Sequence, residues 1–175
     1  MSERVSVMIS EADVDQRIAE LGKQISEDYA GEELHIITVL KGGVFFSCEL
    51  AKRITLPVSL DFMSVSSYGD ATKSSGVVKI VKDLDEPIKG KNVLVVEDIV
   101  DSGRTLSYLL EYLKARGPKS LRLCTMLDKP SRRVKPVDVT YTAFEIEDKF
   151  VVGYGLDYAQ KYRNLPYIGC VELDA

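Results

Sequence analysis

The chain has 175 residues, 45 % of them apolar and 29 % charged, with a formal net charge of −4. That is enough for one domain with its own core, and it argues against a generic nucleic-acid binder, whose surface is usually basic. No apolar stretch approaches the roughly 20 residues that span a bilayer, and the opening MSERVSVMISEADVD lacks the apolar centre of a signal peptide, so a cytoplasmic protein is expected.

Residues 10 to 31, SEADVDQRIAELGKQISEDYAG, predict a helix. Val14, Ile18, Leu21, Ile25 and Tyr29 step by three or four and share a face; Ser10 can cap it, with Asp13 three residues on, and Gly31 can end it. LHIITVL, 34 to 40, predicts a short buried strand. After KGG, a helical stretch runs from Val44 to Arg53. VSLDFMSVSSY, 58 to 68, alternates and is rich in β-formers, and GDATKSSG, 69 to 76, is a polar loop. VVKIVKDLD predicts a strand, PIKGK a turn and NVLVVED a buried strand. TLSYLLEYLKARG is helical, with Leu106, Leu109, Leu110 and Leu113 on one face and Gly117 closing it. SLRLCTML, VTYTAFEI and KFVVGYG predict strands.

No repeat, low-complexity segment or linker divides the chain, so one domain over 1–175 is expected. Strand and helix alternate in the middle, which predicts an open, largely parallel α/β sheet. Such sheets bind ligands at the carboxyl ends of their strands. VLKGG and VVEDIVDSGRT are both strand-to-helix turns at such ends, so they are expected to converge on one site. Cys48, Cys124 and Cys170 form no C-x-x-C pair, and their odd number fits reduced thiols. His35, the one histidine, lies in an apolar run and cannot make a zinc cluster by itself.

The chemistry concentrates in VLVVEDIVDSGRTL, residues 93 to 106. Its tail leads from a strand into a helix starting near Arg104 or Thr105. Backbone N–H groups at a helix start attract a phosphate; Gly103 permits close approach, and Ser102 and Thr105 add hydroxyls. An ordinary capped helix start is the alternative, since Asp and Ser are normal caps. Glu97 and Asp98 would project to opposite sides of a continuing strand, so a break after Val96 or Glu97 is expected if both serve one ligand. Crowded carboxylates raise one another's pKa unless donors or a cation compensate. A vicinal diol offers such donors, and so does Mg²⁺. A sugar phosphate with two free hydroxyls therefore fits: phosphate on the N–H groups, diol on the acids. The chain holds no G-x-x-x-x-G-K-[ST] and no G-x-G-x-x-G, which removes a P-loop and a dinucleotide fold.

These fourteen residues resemble the phosphoribosyl-diphosphate signature of type I phosphoribosyltransferases. VLKGG, SSYG, LDKP and KFVVGYGLDYAQKYRNLPYIG occur in the order and approximate spacing of hypoxanthine-guanine phosphoribosyltransferases. The resemblance implies that family's fold: an open, mostly parallel twisted sheet flanked by helices, with a small hood from the chain ends. It implies transfer of 5-phosphoribose from its 1-diphosphate to N9 of hypoxanthine or guanine, with Mg²⁺.

By the same resemblance, Asp101, Ser102, Gly103, Arg104 and Thr105 hold the 5-phosphate, and Glu97 and Asp98 address the ribose hydroxyls. Asp101 is also the expected acceptor of the purine N7 proton. Lys41 and Gly42 meet the diphosphate through a cis Leu40–Lys41 peptide, with Arg163 nearby. Lys129 donates to the oxygen at purine C6, Phe150 stacks on the base and Val151 offers backbone groups to its edge. Asp157 is expected near the metal through waters, together with Glu97 and Asp98, and beside the purine. Ser67 and Tyr68 belong to a closing lid. An ammonium only donates, so Lys129 suits a 6-oxo group and opposes the 6-amino group of adenine. A homodimer or homotetramer is implied. Two other readings remain open on sequence: a nucleic-acid-binding regulator that keeps this fold, and a related transferase for xanthine.

Overall fold

A computed structural model describes residues 2–67 and 78–173. The expected loop at 69–76, and with it Tyr68, lies outside the described residues. In chain order the elements are β1 (Glu3–Ile9), α1 (Glu11–Asp28), β2 (Leu34–Leu40), α2 (Val44–Lys52), β3 (Val58–Ser67), β4 (Val78–Lys82), β5 (Asn92–Val100), α3 (Arg104–Lys114), β6 (Ser120–Asp128), β7 (Tyr141–Glu145), β8 (Val151–Val152) and β9 (Ile168–Leu173), with a 3₁₀ turn at Pro130–Arg132.

Six strands form the main sheet in the order β4-β3-β2-β5-β6-β7. All its neighbours are parallel except β3 and β4. This is the open, mostly parallel sheet that the alternating pattern predicted. A second sheet, β1-β9-β8, is antiparallel and is built from the chain ends.

Side-chain alternation on the central strands divides the core into two layers. Ile36, Leu94 and Val96 face α1 and α2, where Val14, Ile18, Leu21, Ile25, Phe46 and Leu50 are buried. Ile37, Val39, Val93 and Val95 face α3, through Leu106, Leu109 and Leu113. Burying each such side chain contributes about 1.5–3 kcal/mol. Strands covered on both faces read as continuous apolar runs, which is why LHIITVL and NVLVV are so plain in the sequence. Helix α1 begins as expected, with the Ser10 hydroxyl accepting from the Asp13 N–H at 3.2 Å. Leu110 sits at the rim of its layer, only partly buried.

Two expectations need correction, and two strands were not foreseen. KFVVGYG is a strand only at Val151–Val152, because Gly153 (φ 93°) and Gly155 (φ 99°) turn the chain out of the extended region. Strand β5 does not break after Val96 or Glu97; it continues to Val100, in parallel register with β6. Strands β1 and β9 were not marked by any local pattern: Glu3 pairs with Leu173, and neither segment alternates cleanly in burial.

The order of strands places the site. From β2 the chain passes to β3 on one side, and from β5 it passes through α3 to β6 on the other. The loops after β2 and β5 therefore diverge, leaving a crevice at the carboxyl ends of these neighbours, the position where open α/β sheets bind ligands.

Candidate active site at the ends of β2 and β5

Glu97 and Asp98 lie on the last part of β5. Although the strand continues, their carboxylates remain close enough to interact. Glu97 Oε1 accepts from the Asp98 N–H at 3.0 Å, so the longer side chain curls back along the strand. Asp98 Oδ1 accepts from the Ile99 N–H at 2.7 Å. Both carboxylates keep partial access to the surface, yet surrounding atoms strip most of their solvent. Burial raises the pKa of both, and the Asp98 charge raises Glu97 further. An acid pair held this way favours partners that donate hydrogen bonds or carry positive charge.

The turn after β2 closes on this pair. The Leu40–Lys41 peptide is cis, and a β-carbon on Gly42 would lie 1.8 Å from Asp98 Oδ2. A β-carbon on Gly155 would lie 2.0 Å from the Gly42 carbonyl oxygen. Backbone from three distant segments thus meets at the acids, as expected for VLKGG and VVEDIVDSGRT.

Helix α3 starts at Arg104 with Gly103 as its N-cap, in the left-handed region at φ 83°, and among the described residues no side chain caps it. The ordinary capped start is therefore not what forms; the Ser102 hydroxyl makes only a long contact, 3.4 Å, with the Arg104 N–H. Ser102 and Thr105 are partly exposed and Arg104 is exposed, so the turn is open to an anion. A strap behind it holds its shape. Val134 N–H and Lys135 N–H both donate to the Ser102 carbonyl, at 2.9 and 3.0 Å. A β-carbon on Gly103 would come within 2.3 Å of the Lys135 carbonyl oxygen. Glycine is needed here for both conformation and space.

Beside this turn lies a cavity of about 450 Å³ whose lining includes Asp101, Lys129, Arg132, Phe150, Val151 and Asp157. Lys129 is 7 % exposed. Its N–H donates to the Val100 carbonyl at 3.0 Å, and its ammonium lies 3.5 Å from Asp148 Oδ1. Phe150 is 53 % exposed, with its ring edge-on to Tyr158 at 5.5 Å between centroids. Val151 is on β8, an outer strand of the small sheet, a position from which backbone groups can meet a ligand.

Arg163 links the far wall. Its Nη1 donates to the Gly155 carbonyl at 2.6 Å, and Nη2 lies 3.3 Å from Asp157 Oδ1. Asp157 Oδ2 accepts from the Gln160 N–H at 2.8 Å. Tyr154, Ala159, Gln160 and Tyr162 all have positive φ, a concentration of strain typical of ligand-gripping loops. Among the described residues no three His, Cys, Asp or Glu side chains cluster to hold a metal, so Asp157 does not join Glu97 and Asp98 in one cage. The set still fits Mg²⁺, which is usually held by one or two carboxylates while water and substrate phosphates complete its shell.

The structure therefore brings together Lys41, Gly42, Glu97, Asp98 and Arg163 at the crevice, and Asp101, Lys129, Phe150, Val151 and Asp157 at the adjoining cavity, with the Arg163–Asp157 ion pair between the two. The Tyr68 half of the lid lies outside the described residues. Residues absent from the expected set also appear in or against the cavity, among them Arg132, Asp148 and Arg133. Their signal was slight, an arginine pair just after LDKP and one more acid in a charged turn.

Comparison with known proteins agrees with this geometry. A family model for the phosphoribosyl transferase domain matches residues 10–159. Hypoxanthine phosphoribosyltransferase of Salmonella typhimurium is 53 % identical over 175 residues, covering 99 % of this chain and 98 % of that protein. Hypoxanthine-guanine phosphoribosyltransferase of Mycobacterium avium is 53 % identical over 173 residues, covering 95 % of this chain and 85 % of the relative. Among solved structures, a hypoxanthine-guanine phosphoribosyltransferase of Bacillus anthracis with HEPES in its active site superposes with a TM-score of 0.93 at 45 % identity, over 98 % of this chain and all of that one.

Proposed function

The chain belongs to the phosphoribosyl transferase family, and from that premise we infer that it moves 5-phosphoribose from 5-phosphoribosyl 1-diphosphate to N9 of hypoxanthine or guanine, releasing diphosphate and yielding IMP or GMP. It is a pentosyltransferase of purine salvage. The observation that carries the choice of base is the buried Lys129, whose backbone is bonded to the end of β5. A donor-only group there pairs with a 6-oxo oxygen and not with a 6-amino group.

Each part of the substrate then has a place. The 5-phosphate sits on the open start of α3 between Ser102 and Thr105, where N–H groups and the helix dipole favour an anion. The ribose hydroxyls donate to Glu97 and Asp98, relieving the acid pair. Lys41, Gly42 and Arg163 flank the diphosphate. Mg²⁺ belongs to this reading as the companion of the diphosphate, with Glu97, Asp98 and Asp157 near it, and when bound it neutralises the leaving group. Phe150 lies against the purine face and Val151 along its edge.

In the reaction the bond from C1 of the ribose to the diphosphate oxygen breaks as the bond from C1 to N9 forms. The purine becomes cationic as it bonds, and its N7 proton becomes acidic enough for Asp101 to accept it. Asp101 is thus the catalytic residue of this reading. A crevice that excludes water protects the cationic sugar from hydrolysis.

The proposal treats 1–175 as one working domain, supported by a shared core in which Val151 and Ile168 of the small sheet pack with Ile36 and Leu94 of the large one. It includes self-association as a homodimer or homotetramer, for which the exposed Phe45 on α2 supplies apolar surface. It also includes action in the cytoplasm, which the free Cys48, Cys124 and Cys170 suit.

An ultraviolet assay with 5-phosphoribosyl 1-diphosphate, Mg²⁺ and each of hypoxanthine, guanine, xanthine and adenine tests the function. Turnover of hypoxanthine and guanine is expected. Activity with adenine alone would overturn the role of Lys129, and silence with every base would favour a regulator that keeps the fold.

A further inference from the structure

We propose that Arg132 is a positioning residue for the purine, tying the acceptor that meets N7 to the donor that meets the 6-oxygen; this inference rests on the function proposed above. Three polar contacts run in series. Arg132 Nε donates to Asp101 Oδ1 at 3.3 Å, Arg132 Nη1 donates to Asp148 Oδ2 at 3.5 Å, and Asp148 Oδ1 lies 3.5 Å from the Lys129 ammonium. The series begins at the proposed proton acceptor and ends at the proposed 6-oxygen donor.

The chemistry of the base gives this series a purpose. N7 and O6 of a 6-oxopurine sit side by side on one edge. Recognition of that edge needs an acceptor and a donor held at matching spacing. Each carboxylate has two oxygens and room for several donors. Arg132 uses Oδ1 of Asp101, which leaves Oδ2 for the purine N7–H. Asp148 divides its oxygens the same way, one for Arg132 and one for Lys129. A guanidinium is a rigid fork that spans two carboxylates, whereas a lysine is a single charge on a flexible stem.

The backbone fixes where the fork starts. Arg132 ends the 3₁₀ turn that Pro130 opens, and its N–H donates to the Lys129 carbonyl at 3.1 Å. Next in the chain, Arg133 Nε donates to the Asp101 carbonyl at 3.2 Å and its guanidinium pairs with Asp128. Consecutive arginines therefore hold Asp101 at its side chain and at its backbone. The ion pairs of Arg132 are half exposed, with side-chain exposures of 55 % for Arg132, 47 % for Asp101 and 50 % for Asp148. Pairs so open to water add little to folding, so their effect falls on the orientation of Asp101 and Lys129.

Steady-state kinetics of Arg132→Met, Arg132→Lys, Asp148→Asn and the double variant Arg132→Met/Asp148→Asn test the proposal, with thermal melts alongside. For Arg132→Met the KM for hypoxanthine should rise about tenfold while the KM for 5-phosphoribosyl 1-diphosphate stays within about twofold. Its melting midpoint should be unchanged, and Arg132→Lys should recover part of the loss. The double variant should be no worse than the poorer single one, since each breaks the same series. A purine KM within twofold of wild type, equal rises for both substrates, or multiplying effects in the double variant would each overturn the inference. Wild-type protein inactive on both bases would instead defeat the proposed function, and the inference with it.

Discussion

The Oδ2 atom of Asp98 occupies the place a β-carbon on Gly42 would need, the two falling 1.8 Å apart. Residue 42 is thereby tied to an acid 56 positions later in the chain, and the contact is between side chain and backbone across neighbouring strands. Gly42→Ala must push Asp98 aside or shift the turn, since contacts below 3.0 Å do not survive. We expect kcat/KM for 5-phosphoribosyl 1-diphosphate to fall by about a hundredfold or more, with a stability loss on the order of 1–3 kcal/mol. Kinetics and a urea titration measure both, and a variant with near-normal efficiency would show the crevice to be more pliable than described.

Asp101→Ala should lose most turnover while keeping much of its affinity for 5-phosphoribosyl 1-diphosphate. In the proposed site the 5-phosphate is held largely by backbone N–H groups at the start of α3, and the variant keeps that backbone. Single-turnover kinetics with a separate binding titration make the distinction. A kcat within about threefold of wild type would remove Asp101 from proton transfer.

Lys129→Gln replaces a group that only donates with one that can also accept. Adenine, rejected by the ammonium, then finds an acceptor for its 6-amino group. We expect the ratio of kcat/KM for hypoxanthine over adenine to fall by about tenfold or more, the scale of one buried unpaired donor. Competition assays on both bases give the ratio directly; an unaltered ratio would place discrimination elsewhere.

Glu97→Gln should make the unliganded protein more stable and a poorer binder. Burial, and then the Asp98 charge, raise the Glu97 pKa. A carboxylate whose folded pKa is raised binds protons more readily folded than unfolded, so its contribution to stability diminishes as pH rises from the ordinary carboxylate range through the raised value. The neutral amide removes that cost at pH 7. Melting midpoints without ligand should rise by a few degrees, about 4–8 °C per kcal/mol for small domains and less for larger ones, while phosphoribosyl-diphosphate affinity drops. A midpoint that fell would mean the repulsion is already relieved in the empty site.

His35 predicts a separate acid limb. It is 3 % exposed, its Nδ1 pairs with the Ser59 hydroxyl at 2.6 Å, and its Nε2 is buried with no hydrogen-bond partner among the described residues. Burial, chiefly, holds its pKa below 6.5. The unfolded chain then binds the proton first, so stability is whole above about pH 6.5 and declines as pH falls toward the lowered folded value. His35→Asn removes this titration. Urea midpoints of the two proteins compared across pH 8 to 5.5 should diverge on the acid side, and parallel curves would deny the effect.

Much of this molecule can be read from its sequence because local pattern and chemistry coincide. The start of α1 follows from Ser10 and Asp13, the bounds of β2 from an unbroken apolar run, and the start of α3 near Arg104 or Thr105 from the strand-to-helix pattern. Glu97, Asp98 and the turn to Thr105 stand out because acids beside an anion cradle need an explanation that ordinary folding does not supply. Other features have no local mark. The pairing of Glu3 with Leu173 joins segments at opposite ends of the chain. The shortness of β8 depends on two glycines of positive φ, each placed where Tyr167 or Gly42 leaves no room for a β-carbon.

Residue type and order were thus sufficient for most elements of the main sheet and for the ligand class, since periodicity, hydrogen-bonding capacity and charge belong to the residues themselves, while the role of Lys129 as the donor that selects the base came from the family resemblance and is a proposal. Contacts between distant segments settled the rest. That β5 runs on to Val100 while its two acids still interact, that Gly42 closes against Asp98 and Gly155 against Gly42, and that Arg132 reaches from Asp101 to Asp148 all depend on where separate elements meet. Such meetings follow from packing, and no single stretch of the chain contains them.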